Sequence, residues 1–561
     1  MKNSLIAVLI FVMSAVLGGC GSEPNDKAQQ LEEFIKAHLE KIKPLSKETA
    51  LAYWKAANTG EDEDYDRVSK LEYELRQIYT NSEEFAFLKN IKDSGKVKDA
   101  KLVRQLDGLY NAYLKNQIGT ELLKKMIDLS TEIEKNFSTF RGTIDGKQVT
   151  TNEIKEILKT ETHSEQRENA WLASKQVGPV VAGDLIKLVK LRNEAARKVG
   201  FVNYHTLSLT LAEQDVKELD RIFDELYELT NEPFARVKAE LDSILADMYG
   251  VDADELMPWH YHDPFFQESP LVYDIDLDVY YKNRDVKDLA VGFYTGIGLS
   301  VESILANSDL YERKGKNPHA FCTDIDNEGD VRILCNIKNN EYWMEVTLHE
   351  LGHAVYDRYQ DFDVPYLLRE PAHIFTTEAI AMLFGRLSRN AAWMKQMLEL
   401  TDEQKADIET VSDKYAQLKQ LIFVRWAMVM YNFEKHLYAN PDQDLNELWW
   451  RLVEMYQLVN RPEGRYEPDW AAKIHFTIAP CYYHNYVLGE LLASQLHHYI
   501  VQNILKLESQ RGVDYVGEPA VGDFLRAKVF EPGSVYHWNE MIERATGEPL
   551  TPEYFVKQFV K

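Results

Sequence analysis

Residues 343–359 read WMEVTLHELGHAVYDRY, and no other stretch of the chain limits its folding so tightly. Leu348, Leu351, Val355 and Tyr359 recur at the spacing of one helix face. His349 and His353 are four residues apart, so they leave the opposite face about one turn from each other. Two imidazoles in that relation can hold one zinc ion, and Glu350 beside them can take a proton from a water. Any fold must then bury the back of this helix, keep its front open and bring a third ligand from elsewhere. The plainer alternative is a pair of satisfied histidines that happen to flank a glutamate. With 15 His in 561 residues, a chance motif of this kind is uncommon.

The chain is long enough for a large core, and 45% hydrophobic with 27% charged residues is ordinary globular composition that excludes a disordered chain. A formal net charge of −26 argues against nucleic acid or anionic headgroups as partners, since both are polyanions. At the amino end, Lys2 precedes an apolar run from Leu5 to Leu17 and then small residues. That run is too short for a mature bilayer span and fits a secretory signal over residues 1–19. Leu17-Gly18-Gly19-Cys20 resembles a bacterial lipoprotein processing site, which implies cleavage before Cys20 and acylation of that residue. Residues 20–30 would then be a tether, and the protein would be lipid-anchored to the cell envelope, on the periplasmic side or the cell surface. A soluble secreted protein is the alternative. Beyond Cys20 only Cys322, Cys335 and Cys481 remain, enough for one disulfide at most.

From residue 31 to 561 the chain reads as one helical domain. Segments such as QLEEFIKAHLEKI and ELDRIFDELYELT repeat apolar residues at three and four. Thr150 and Glu153 fit a capping box, with Asp145-Gly146 as a turn just before it. Prolines and aromatics in residues 257–270 (MPWHYHDPFFQESP) break the rhythm and predict a loop packed near a cleft. Its His260 and His262 are read as structural. His319 to Ile325 and Val331 to Ile337 flank Asp326-Asn327-Glu328-Gly329, a hairpin signal. Such a hairpin either offers an edge to an extended peptide or is a structural ribbon. Pro365 and Pro371 keep residues 361–374 irregular, a helix opens at Thr376, and helices resume from Glu403.

A catalytic zinc site needs a third protein ligand and an open position. Glu370, His373 and Glu378 are the downstream candidates. A surface ion pair accounts for Glu370, beside Arg369. Glu378 is favoured, because it opens an otherwise apolar helical run and a carboxylate there needs a partner. Zinc, water and Glu350 together imply hydrolysis of an acyl bond. Lys473-Ile474-His475 and Tyr482-Tyr483-His484-Asn485-Tyr486 form a second cluster that could stabilise an oxyanion, or could be packing.

HELGH with TTEAIAM, KIHFTIAPCYYHNYVLGELLASQLHH, NPHAFCTDID with GDVRILC, and the helical stretch from Ala170 to Tyr204 resemble the angiotensin-converting enzyme family of zinc peptidyl-dipeptidases. The resemblance implies a mainly α, two-lobed metallopeptidase with a deep cleft and a small hairpin near its active site. It implies one zinc ion held by His349, His353 and Glu378, with Glu350 as general base and acid. His475 and Tyr486 match the pair that stabilises the tetrahedral intermediate, and His319 and Ala320 the strand that holds the substrate backbone. Lys473, Tyr483 and Gln267 match groups that bind the terminal carboxylate of short peptide substrates. Asn485 stands where chloride-dependent animal enzymes have an arginine, which argues against chloride activation. Met382 stands where they have an aspartate near the zinc, and Asp357 is a substitute within reach along its helix. Pro318 replaces a cysteine that would pair with Cys335, and the interval from His475 to Tyr486 is one residue longer. Two other readings compete: a thimet-type oligopeptidase or carboxypeptidase, and a lipid-anchored peptide-binding protein whose metal site is idle. The intact Glu350 argues against the latter.

Overall fold

The computed structural model describes residues 24–273 and 275–560, so the signal segment and Cys20 lie outside the described residues. The fold is mainly α with two small antiparallel hairpins. The first helix begins at Pro24. Among the described residues no helix is long and apolar enough to cross a membrane.

Three helices build the centre. The histidine helix, Glu341–Arg358, is started by Asn340, whose side chain accepts the Trp343 amide at 2.9 Å. Leu348, Leu351 and Val355 on its back are fully buried, as their spacing predicts, while Tyr359 lies just past its end and is only partly buried. The glutamate helix, Ile374–Gly385, packs against it, and the tyrosine helix, His484–Tyr499, packs on the glutamate helix in turn. Two glycines allow the close spacing. A Cβ on Gly352 would meet the Cα of Ala381 at 2.7 Å, and one on Gly489 would meet the Cβ of Glu378 at 3.3 Å. The long helix Asp402–Ala439, begun by a Thr401–Gln404 capping box, lies behind.

The Thr150–Glu153 capping box forms as its sequence predicts. Just before it, Gly142–Ile144 (β1) and Lys147–Val149 (β2) pair across Asp145-Gly146, both at positive φ. This hairpin is absent from the sequence reading, because three-residue strands show no alternation. Phe321–Asp324 (β3) and Val331–Leu334 (β4) form the expected second hairpin, shorter at both ends. The outer edge of β4 is taken by Asp309, leaving the outer edge of β3 without a strand partner among the described residues. One apolar core runs from Ile133 to Phe559, and a separate cluster from Leu31 to Tyr113 belongs to the amino-terminal helices.

Candidate active site

His349 and His353 face the first turns of the glutamate helix, and there His349, His353 and Glu378 converge. The two Nε2 atoms are 3.3 Å apart, and Glu378 Oε2 lies 3.7 and 3.8 Å from them. Nitrogens bound tetrahedrally to one zinc ion at ordinary bond lengths are separated by about 3.3 Å, so this donor set fits the metal. Burial lowers both imidazoles, His353 to about 3 with His349 adding to the effect, so both are neutral and ready as ligands. Burial and then Glu490 push Glu378 up to about 7. Two imidazoles and one carboxyl group brought this close are the usual sign of a site built for a cation.

The other candidates for the third ligand are engaged elsewhere. His373 caps the glutamate helix, taking the Phe375 amide on Nδ1, with Nε2 bonded to the Ala212 carbonyl at 2.8 Å. Glu370 is exposed, but it makes no ion pair among the described residues, contrary to expectation. Asp357 does not support the histidines either. That role falls to Thr377, whose hydroxyl is 2.7 Å from His353 Nδ1. Thr377 directly precedes Glu378, which is the only sequence signal that could have found it.

Glu350 is buried beside the set. Burial and then Glu378 push it up to about 8, against the opposing pull of the Cys322 backbone amide. That amide lies on β3, so the unpaired edge of the hairpin faces the general base. Backbone groups alternate along a strand, and Ala320, two residues earlier, is aligned with Cys322 on that edge. His319 and Ala320 themselves precede β3, and the His319 amide is taken by Asn317 Oδ1 at 2.9 Å.

Lys473, Gln267, Tyr483, His475 and Tyr486 line one cavity of about 650 Å³, with His262 and Asp263 from the loop predicted to pack near a cleft. Lys473 Nζ contacts Gln267 Oε1 and faces the Phe265, Trp426 and Tyr483 rings. Asp263 fixes that loop by accepting the amides of Phe265, Gln267 and Glu268. Tyr483 takes the Trp426 indole N–H at 2.7 Å. Burial and then Lys473 lower His475 to about 4, and its Nδ1 is buried without a partner among the described residues. Tyr486 packs edge-on to Tyr483, and burial and Glu378 raise its phenol. His260 and His262 are fully engaged, with Ser164 and the Met257 amide and with Tyr249 and the Leu271 amide. Asn485 sits in an uncharged net, accepting from Gln214, whose own carbonyl meets His484. Cys322, Cys335 and Cys481 are free thiols.

The fold and site together define a helical protein with a His-His-Glu metal-ligand set and, near it, a cavity lined by Lys473, His475, Tyr483 and Tyr486. The family model described as angiotensin-converting enzyme matches residues 25–262 and 277–557, and the chain belongs to that peptidase family. A thermostable carboxypeptidase 1 of Pyrococcus furiosus is 26% identical over 269 residues, 43% of this chain and 51% of that protein. An angiotensin-converting enzyme-related protein of Drosophila melanogaster is 23% identical over 330 residues, 54% of this chain and 50% of that protein. The matches thus span about half the length of each relative.

Proposed function

We propose that this protein is a zinc-dependent peptidase that removes dipeptides from the carboxyl ends of short peptides. The observation that carries the reading is the nearness of two chemistries: a fitting ligand set with Glu350 beside it, and a cavity holding the buried Lys473 with Gln267 and Tyr483, whose wall includes Tyr486, a phenol that feels the Glu378 charge. A bound zinc ion would supply Lewis acidity at the scissile carbonyl. Lys473 holds the terminal carboxylate by a charge-assisted bond, and the Ala320 edge aligns the backbone upstream of the cut. Glu350 accepts the proton of the attacking water and passes it to the leaving amine. Its carboxyl, about 8 without a cation, falls once a cation lies next to it, which suits a base at neutral pH. His475 and Tyr486 face the developing oxyanion as donors, and the neutral His475 can present an N–H.

The test is product analysis on a blocked tetrapeptide by mass spectrometry. The dipeptide reading expects one C-terminal dipeptide. Single amino acids would support the carboxypeptidase reading, which the Pyrococcus relative favours. Glu350→Gln should retain peptide binding while turnover falls roughly a hundred- to ten-thousand-fold; unchanged turnover would remove Glu350 from the chemistry.

The Leu17-Gly18-Gly19-Cys20 segment supports a lipid-anchored protein outside the cytoplasm. Labelled fatty acid should enter the full-length chain in its host and not the Cys20→Ser variant. Labelling of both would place the lipid elsewhere.

A further inference from the structure

The loop that carries Gln267 is held in a conformation it would not keep unaided. Phe266, immediately before Gln267, sits at φ 49°, in the left-handed region that residues with a Cβ rarely enter. Such residues persist where their surroundings over-determine them. Asp263 accepts three amides of this turn, those of Phe265, Gln267 and Glu268. Its carbonyls are met by the last residues of two helices. Lys175 ends the helix Ser164–Lys175, and its Nζ donates to the Pro264 carbonyl at 2.7 Å, beside the Trp171 indole N–H at 3.0 Å. Gln457 ends the helix Leu445–Gln457, and its amide donates to the Phe265 carbonyl at 3.0 Å and the Phe266 carbonyl at 2.7 Å.

Lys175 is costly to bury. Its Nζ makes one hydrogen bond and no ion pair among the described residues. Burial pushes its amine down to about 7, against the pull of Asp469 and Asp263. An apolar side chain would fill the same space at less cost. The gap beside it is about 20 Å³, room for a water and not for a peptide, so Lys175 does not meet substrate itself. What it does reach is the Phe265 ring that Lys473 also faces. Lys175 Nζ lies 3.3 Å from the centroid of that ring, and Lys473 Nζ lies 5.5 Å from it. Gln267, two residues on, gives its Oε1 to Lys473, which leaves its Nε2 to donate to a ligand.

We propose that Lys175 and Gln457 are positioning residues for the terminal carboxylate of the substrate: they hold the turn from Pro264 to Gln267 so that the Gln267 amide and Lys473 meet that carboxylate together. This rests on the reading that the terminal carboxylate lies at Lys473. Neither residue touches the substrate, and each acts through Gln267. Without their bonds to the three carbonyls, Phe266 relaxes to negative φ and carries the Gln267 side chain away from Lys473.

The experiment compares a blocked tetrapeptide as its free acid and as its C-terminal amide. Values of kcat and KM are measured with the zinc-loaded enzyme, and Kd by calorimetry with zinc-loaded Glu350→Gln protein. The parent should favour the acid. Lys175→Met and Gln457→Leu keep much of the bulk and remove the donors. Each should cut the acid-over-amide preference in Kd roughly ten- to a hundredfold, the size of one hydrogen bond to a charged group. The change should fall on KM and leave kcat in place. Gln267→Leu should cut the preference by a similar factor, and Lys175→Met added to it should cut it no further. The ratio is the readout, so a general loss of stability does not imitate the effect, and if one variant does not fold the other asks the same question. A preference that falls in Kd without any release of a dipeptide would remove the reaction assignment and leave the positioning role standing. Equal Kd for acid and amide in the parent would remove the carboxylate reading and this proposal with it. A preference that survives both variants, or a full further loss on top of Gln267→Leu, would overturn the positioning role alone.

Discussion

His353 shows how one side chain depends on its neighbour. A ligating imidazole needs its second nitrogen fixed, and the Thr377 hydroxyl at 2.7 Å does this. Thr377→Val removes the hydroxyl and keeps the shape. Zinc affinity should fall roughly ten- to a hundred-fold by competition with a chelating dye, with helicity unchanged; equal affinity would mean that Thr377 does not orient the ring. His349, Glu350 and His353 are legible in the sequence because a four-residue interval on a helix fixes their relation without any tertiary knowledge. Thr377 and Glu370 are not. Whether a hydroxyl meets a ring, or a loop carboxylate meets a cation, depends on how the elements cross. A helix crossing leaves no periodic mark.

At the scale of elements, glycines that permit close packing are legible only after the fact. Gly352 sits inside the HELGH motif, yet only the crossing shows that its missing side chain makes room for Ala381. The long helix offers a measurable case. Its Glu434 accepts the amide of Cys481, a residue at positive φ just ahead of Tyr482, Tyr483 and Tyr486, at 2.8 Å. Burial outweighs that bond and the Arg192 charge and pushes Glu434 up to about 8. Unfolded, the same carboxyl titrates at about 4.3. Between those values the folded chain holds a proton that the unfolded chain has released, so stability falls as pH rises through the window. Glu434→Gln keeps the accepting oxygen and removes the titration. Its melting temperature should gain on the parent from pH 5 to pH 9, by on the order of a few kcal/mol of relative stability. Parallel curves would show that Glu434 is not buried as a neutral acid.

The whole molecule adds a constraint that neither scale contains. The helices Pro24–Thr59, Asp62–Tyr79, Ser82–Ser94 and Ala100–Leu114 have a sequence pattern too generic to assign them a role, and the structure gives three of them an apolar cluster of their own. They meet the rest of the chain at a few aromatic contacts, Tyr53 and Trp54 on Phe321, and at polar ones. Lys47 pairs with Asp326 at 2.9 Å on the turn between β3 and β4, and Lys43 with Glu328. Asn317 donates to the Ala57 carbonyl at 2.8 Å. Arg104 forks onto Glu213, a non-glycine residue held at φ 57°, and its Nε donates to the Ser534 carbonyl at 2.8 Å. Exposed lysine pairs contribute little to stability. A partly buried two-pronged arginine contributes more, and its loss leaves Glu213 without its partner. A separate apolar cluster held to the body by such points can open without melting the main core. Arg104→Ala should therefore raise hydrogen exchange in residues 24–114 several-fold while the histidine and glutamate helices keep their protection. If exchange rises in both regions together, the amino-terminal helices and the core form one cooperative unit.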